Sequence, residues 1–168
     1  MDFLYVLIAI VVVIFIIVVW YISVSNKIVR ASIKVDESFS GIDVALAKRY
    51  DVLTKMVDVV KGYTKHEKEI LLKVVELRNN MSMQEKKDAN AAMDENFSKI
   101  NAVVENYPDL KASENFKVLQ QAVVDVEEHL QAARRLYNSN VSLYNQMIIT
   151  FPNNIVAKNK GAIEKDFF

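Results

Sequence analysis

No cysteine occurs anywhere in this chain, and that one absence removes disulfides, thiolate metal sites and cysteine nucleophiles together. Glycine and proline are nearly as sparse, at 3 and 2 of 168 residues. That argues against a β-sandwich, whose many turns draw on both, and for long uninterrupted helices. Neither sign of charge is in excess, since 21 basic and 21 acidic side chains cancel. No overall field therefore steers the chain to nucleic acid or to acidic lipid. Histidine is limited to His66 and His129. A di-metal site in a helical bundle needs paired carboxylates and a glutamate three residues before each ligating histidine. Those positions hold Tyr63 and Val126, and Glu127 and Glu128 are adjacent, so they point to different faces. No glycine-rich loop precedes a helix to cradle phosphate, and no spacing of Ser, His and Asp indicates a triad. The expectation is a protein that is not an enzyme, with no cofactor, no metal, no nucleic acid and no small-molecule substrate. The charge runs at residues 65–69 and 85–88 read as solvated helix faces.

What the chain has in quantity is apolar surface concentrated at its N-terminus. Residues 3–22 carry no charge; sixteen are Leu, Ile, Val or Phe, and the others are Tyr5, Ala9, Trp20 and Tyr21. A helix of that length spans about 30 Å, the thickness of a bilayer's hydrocarbon core. In lipid every backbone polar group must be satisfied within the segment, which leaves a helix as the form it takes. Sixteen such residues favour insertion by roughly 5–10 kcal/mol. Trp20 and Tyr21 stand at one end and Tyr5 near the other, where interfacial belts lie. No ionisable residue marks an ion path, and Ala9 is the only small residue, so no close-packing seam exists. A passive anchor is expected, contacting lipid through residues 3–22. Lys27, Arg30 and Lys34 follow the run, whereas only Met1 and Asp2 precede it. Basic flanks stay in the cytoplasm, which predicts the N-terminus outside and the remainder inside. A cleaved signal peptide would need a basic n-region and an apolar core of about 7–15 residues, and both are missing.

Beyond the anchor the apolar period changes. Val35, Phe39, Ile42, Leu46, Leu53, Met56, Val60 and Tyr63 follow steps of four and three, with Arg49 in one slot. This predicts a helix over 27–63, with its continuity with the anchor left open. A second helix is expected from about residue 65, with Ile70, Val74, Leu77 and Met81 as its stripe. Ser82 and Glu85 have capping-box spacing and open a third, along Ala89, Met93, Ile100, Val103 and Tyr107, with Asn96 in one slot. Pro108 should end it. Ser113 is the expected N-cap of a fourth helix, which runs to about residue 150 along Phe116, Leu119, Val123, Val126, Leu130, Ala133, Tyr137, Tyr144 and Met147, with Asn140 in one slot. The fold class expected is all-α: a transmembrane anchor over 1–26, an antiparallel four-helix bundle with long first and fourth helices over 27–151, and an irregular tail over 152–168 near the membrane. In that bundle the first and fourth helices pair with residue numbers summing to about 176. Asp43 would then meet Arg134 as an ion pair, and Phe151, Phe167 and Phe168 would rest at the membrane interface.

Two polar clusters stand out. One is Glu105, Asn106, Tyr107, Pro108, Asp109, Leu110 and Lys111; the other is Arg134, Arg135, Leu136, Tyr137 and Asn138, followed by Tyr144 and Asn145. With Asp43 they form the candidate interaction or structural cluster, since Tyr and Arg are typical hot-spot residues. These stretches also carry a resemblance. Ile42-Asp43-Val44, Lys61-Gly62-Tyr63 with His66-Glu67, the run 105–112, Glu114-Asn115-Phe116, Leu119-Gln120, Ala132-Ala133-Arg134-Arg135, Tyr137-Asn138, Tyr144-Asn145, Phe151-Pro152 and Phe167-Phe168 are similar to the LemA family of bacterial membrane proteins. Ser40-Gly41 stands where that family usually has Trp-Ser. The resemblance implies a single-pass, N-terminally anchored helical bundle facing the cytoplasm and no enzyme. The expected role is a scaffold or adaptor on the cytoplasmic face of a bacterial membrane. The alternative is an accessory subunit of a membrane protease or quality-control complex. The partner is an unidentified protein, self-association included.

Overall fold

The computed structural model describes residues 2–63 and 81–168. Five helices are seen among them: α1 Asp2–Tyr63, α2 Met83–Val104, α3 Pro108–Ala112, α4 Glu114–Ile149 and α5 Asn153–Asn159. No strand occurs among the described residues, so the chain is all-α there. The helix expected from about residue 65 lies outside them, save Met81 at the end of its stripe, which is non-helical.

α1 is one helix of 62 residues, about 93 Å long at 1.5 Å per residue. The anchor therefore runs on without a break, and Gly41 does not interrupt it. α2 opens as the spacing predicts. The Ser82 hydroxyl accepts from the Glu85 N–H at 3.3 Å, and the Glu85 carboxylate accepts from the Ser82 N–H at 2.7 Å. Two orphan donors of the first turn are satisfied reciprocally. Pro108 does not simply terminate structure. It occupies the first position of α3, where its missing N–H costs nothing and its fixed φ suits the helix. Ser113 then joins α3 to α4: its hydroxyl donates to the Leu110 carbonyl at 2.8 Å and accepts from the Phe116 N–H at 3.3 Å.

The chain divides into two compact units, the first Met1–Ser38 with Tyr137–Phe167, the second Phe39–Leu136 with Phe168. In the first, no described residue covers residues 3–19; they stand exposed around the whole helix. Burial begins at Val24 and continues through Ile28 and Val35 on α1, with Tyr137, Val141, Tyr144 and Ile148 on α4 and Val156 and Ala157 on α5. Buried Ser38 satisfies its hydroxyl on its own helix, donating to the carbonyls of Lys34 and Val35 at 2.8 and 2.9 Å. In the second unit the core is Ile42, Leu46, Leu53, Met56 and Val60 on α1, Met93, Ile100 and Val104 on α2, Leu110 on α3, and Phe116 and Leu130 on α4.

Three expectations are corrected. The α2 stripe ends on Val104 rather than Val103, with Tyr107 only half-buried. The α4 stripe passes through Val141 and Ile148, not Asn140 and Met147. A straight helix drifts about 20° per heptad against a strict seven-residue repeat, so a long stripe must take an extra step of four. The tail is not irregular throughout, since α5 lies within it and Gly161 closes it with a φ of 65°.

Candidate functional site

Polar side chains are held inside both units, by different means. In the first unit, Tyr137, Tyr144 and Asn145 lie seven and eight residues apart on α4, a spacing that stacks them along one helix face. After Gly161 the chain is non-helical, and it returns along this face. The Asn145 carboxamide engages Lys165 twice: its Nδ2 donates to the Lys165 carbonyl and its Oδ1 accepts from the Lys165 N–H, both at 2.9 Å. The Tyr137 hydroxyl donates to the Asp166 carbonyl at 2.8 Å. These contacts read backbone, so they fix the course of the tail rather than its sequence. The Lys165 side chain adds selectivity. Its Nζ meets the Asp36 carboxylate of α1 at 2.6 Å and lies 5.5 Å from the centre of the Tyr144 ring. Burial raises the Tyr137 pKa above its ordinary value, with the charges of Asp166 and Asp36 adding to the effect. Nearby, the Asn140 Nδ2 donates to the Lys34 carbonyl at 3.3 Å.

In the second unit two cations are buried among the described residues. Arg49 is 3% exposed although it stands in an apolar slot of the α1 stripe. Its guanidinium contacts Asp94 and the Asn90 side chain on α2 and Glu127 on α4, the last at 3.0 Å, and lies 5.3 Å from the Phe97 ring. One arginine thus ties three helices, while its Nε finds no acceptor among the described residues. Lys86, 4% exposed, pairs with Asp43 and places its Nζ 3.5 Å from the Phe39 ring centre. Along α1, Phe39 and Asp43 meet Lys86, and further on Arg49 meets Asn90 and Asp94; α1 and α2 therefore run in the same direction here.

The candidate residues divide between the units. Tyr137, Asn138, Tyr144 and Asn145 belong to the first, and three of them hold the tail. Asp43, Glu105, Asn106, Tyr107, Pro108, Arg134 and Arg135 belong to the second. Glu105, Asn106, Pro108 and Arg135 are exposed. The expected Asp43–Arg134 pair does not form: Asp43 pairs with Lys86, and the Arg134 guanidinium lies 5.1 Å from the Phe168 ring. Lys86, which lies nearer Asp43 in the chain than Arg134 does, reaches it from α2. Phe168 accordingly faces a guanidinium, where a lipid contact was expected.

Several residues escape the sequence reading. Lys86 lies in a charge run read as solvated, yet it is buried. The signal available was its place three before Ala89 and seven before Met93, on the buried face. Asp36 and Lys165 lie 129 positions apart, and no local pattern links them. Glu127 and Glu128 do point differently, with Glu127 on Arg49 and Glu128 exposed. His129 is exposed, and His66 lies outside the described residues. Among the described residues no group of three or more His, Cys, Asp or Glu side chains could hold a metal.

Comparison with known proteins gives one family, the LemA family, matched over residues 38–168. Protein LemA of Metamycoplasma hominis is 30% identical over 143 residues, which is 82% of this chain and 65% of that relative. Magnetosome protein MamQ of Magnetospirillum gryphiswaldense is 25% identical over 72 residues, covering 43% of this chain and 26% of that protein. The chain thus spans just under two-thirds of one relative and about a quarter of the other.

Proposed function

The chain belongs to the LemA family, and from that footing we propose that it is a non-enzymatic scaffold or adaptor on the cytoplasmic face of a bacterial membrane. The observation that carries the reading is the character of α1. Its first turns are apolar all round and uncovered by any described residue, and the same helix continues without a break into both units. Such a surface, alone in water, would aggregate; in lipid it needs no cover. Lys27, Arg30 and Lys34 follow it at once, which favours the N-terminus outside. The helical part is read as an antiparallel four-helix bundle. Support comes from the register within each unit: Lys34 meets Asn140 and Arg49 meets Glu127, pairs summing to 174 and 176, against about 176 with Tyr63 set level with Ser113. Phe151, 76% exposed, together with exposed Ile149, Ile155 and Ile163, supports a lipid-facing rim beside the anchor in the first unit.

The orientation is tested with a single cysteine in a chain that has none. Ala102→Cys on the exposed side of α2 should resist an impermeant maleimide in spheroplasts and react after lysis. Labelling of intact spheroplasts would reverse the topology. A fluorophore on Phe151→Cys should shift to the blue in vesicles, and one on Ala102→Cys should not. Photocrosslinkers at the exposed turn residues Glu105 and Asn106 should capture one discrete protein or a second copy. Only diffuse, non-saturating products would argue against a docking role for that turn.

A further inference from the structure

The seat formed by Tyr137, Asn145 and Asp36 has the chemistry of a site for an extended peptide. It holds one residue by both backbone groups through a single carboxamide and takes the next carbonyl from a tyrosine hydroxyl. It presents one carboxylate to a lysine at a fixed position. Two-point backbone capture by an asparagine works on any extended chain, and the Asp36–Tyr144 corner selects a cation. In this structure the occupant is the chain's own tail.

The tail is held at its end, over residues 165–168, and not at residues 163–164. Glu164, Asp166 and Phe167 are exposed and Ile163 is 77% exposed; the contacts come from Lys165, from the Asp166 carbonyl on Tyr137 and from Phe168 beside Arg134. It joins α5 through Gly161, whose left-handed φ of 65° caps that helix in open surroundings. When the tail leaves, Asn145 loses its amide and carbonyl partners on Lys165, so the seat favours an occupant. A second copy carries the same segment with the same complementarity. Exchange between copies replaces every contact in kind and changes only the path of the chain at Gly161. We propose that this seat is a peptide-binding site that accepts in trans the tail of a second copy, through residues 165–166, and so links copies tail to seat. The proposal stands whichever side of the membrane the units face.

Zero-length carbodiimide coupling of the native full-length chain tests it. Asp36 and Lys165 are in direct contact and should form an isopeptide bond. Equal amounts of nitrogen-15-labelled and unlabelled chain are co-reconstituted in phosphatidylglycerol–phosphatidylethanolamine vesicles and coupled, and the joined peptides are weighed. Exchange predicts mixed-isotope Asp36–Lys165 products, rising with protein density toward the level of random pairing. Asn145→Ala, which removes two hydrogen bonds, should lower those mixed products by about tenfold or more. Products that are only light–light and heavy–heavy at every density would overturn the proposal, leaving a strap closed within each chain. Mixed products that Asn145→Ala leaves unchanged would overturn it too, because they would report collision rather than seating.

Discussion

The two units solve the same problem, burial of polar groups, with different partners. In the second, Arg49 and Lys86 are neutralised by carboxylates on neighbouring helices. In the first, Tyr137 and Asn145 are satisfied by the main chain of the tail. The charged layer is built into the helix packing, because each contact fixes one helix against another. The tail seat is of a different kind, because its ligand is a non-helical segment and not a packed helix. The difference teaches that buried polarity can specify packing in one place and provide a docking seat in another.

The largest effect should come from stripping Arg49 of its carboxylates. Asp94→Ala with Glu127→Ala leaves a buried cation unpaired and should cost about 3–5 kcal/mol in denaturant melts of the full chain in detergent. Adding Arg49→Met to that pair should recover most of the loss, since an apolar side chain of similar volume needs no partner. If the triple variant is no better than the double, the charge is not what the carboxylates serve. Of similar size is Leu130→Ala, at about 2–5 kcal/mol, because that side chain is fully buried in the same unit.

Smaller and local effects belong to the seat. Asn145→Ala should cost about 1–3 kcal/mol, confined to the tail. Alkaline pH gives a further handle. The folded-state pKa of Tyr137 lies above the unfolded value of about 10. Its contribution is therefore complete below pH of about 10 and is lost as pH rises through the folded value. Tail amides should lose protection in that range, and Tyr137→Phe should remove the pH dependence. Smallest of all is the exposed Glu95–Lys99 pair on α2. The Lys99 hydrogen bond and charge hold the Glu95 carboxyl below its usual range, yet Lys99→Ala should leave the melting curve unchanged.

These contrasts bear on what local pattern can convey. Residues 3–22 and the Ser82–Glu85 box are legible because their physics is local: length against a bilayer, and a hydroxyl three residues from a glutamate. Setting Tyr63 level with Ser113 gives a sum of about 176, the sum of the one pair Arg49–Glu127. Arg49 itself is visible as an interruption of an apolar stripe. Its partners are not, because a lone slot does not say which helix supplies the acid. The same gap misassigned Asp43, whose register pointed to α4 while Lys86 approached from α2. Tyr137, Tyr144 and Asn145 are visible as a cluster. Their ligand is not, since the tail carries no periodicity to announce where it lies.

Amide hydrogen exchange on the full chain in detergent, wild type against Asn145→Ala, tests most directly whether the seat is separable from the packing. The Lys165 N–H, which donates to Asn145, and its tail neighbours should exchange at least about tenfold faster in the variant. Amides at Met93, Ile100, Phe116 and Leu130 in the second unit should be unchanged. Acceleration of both sets together, or of neither, would contradict the account.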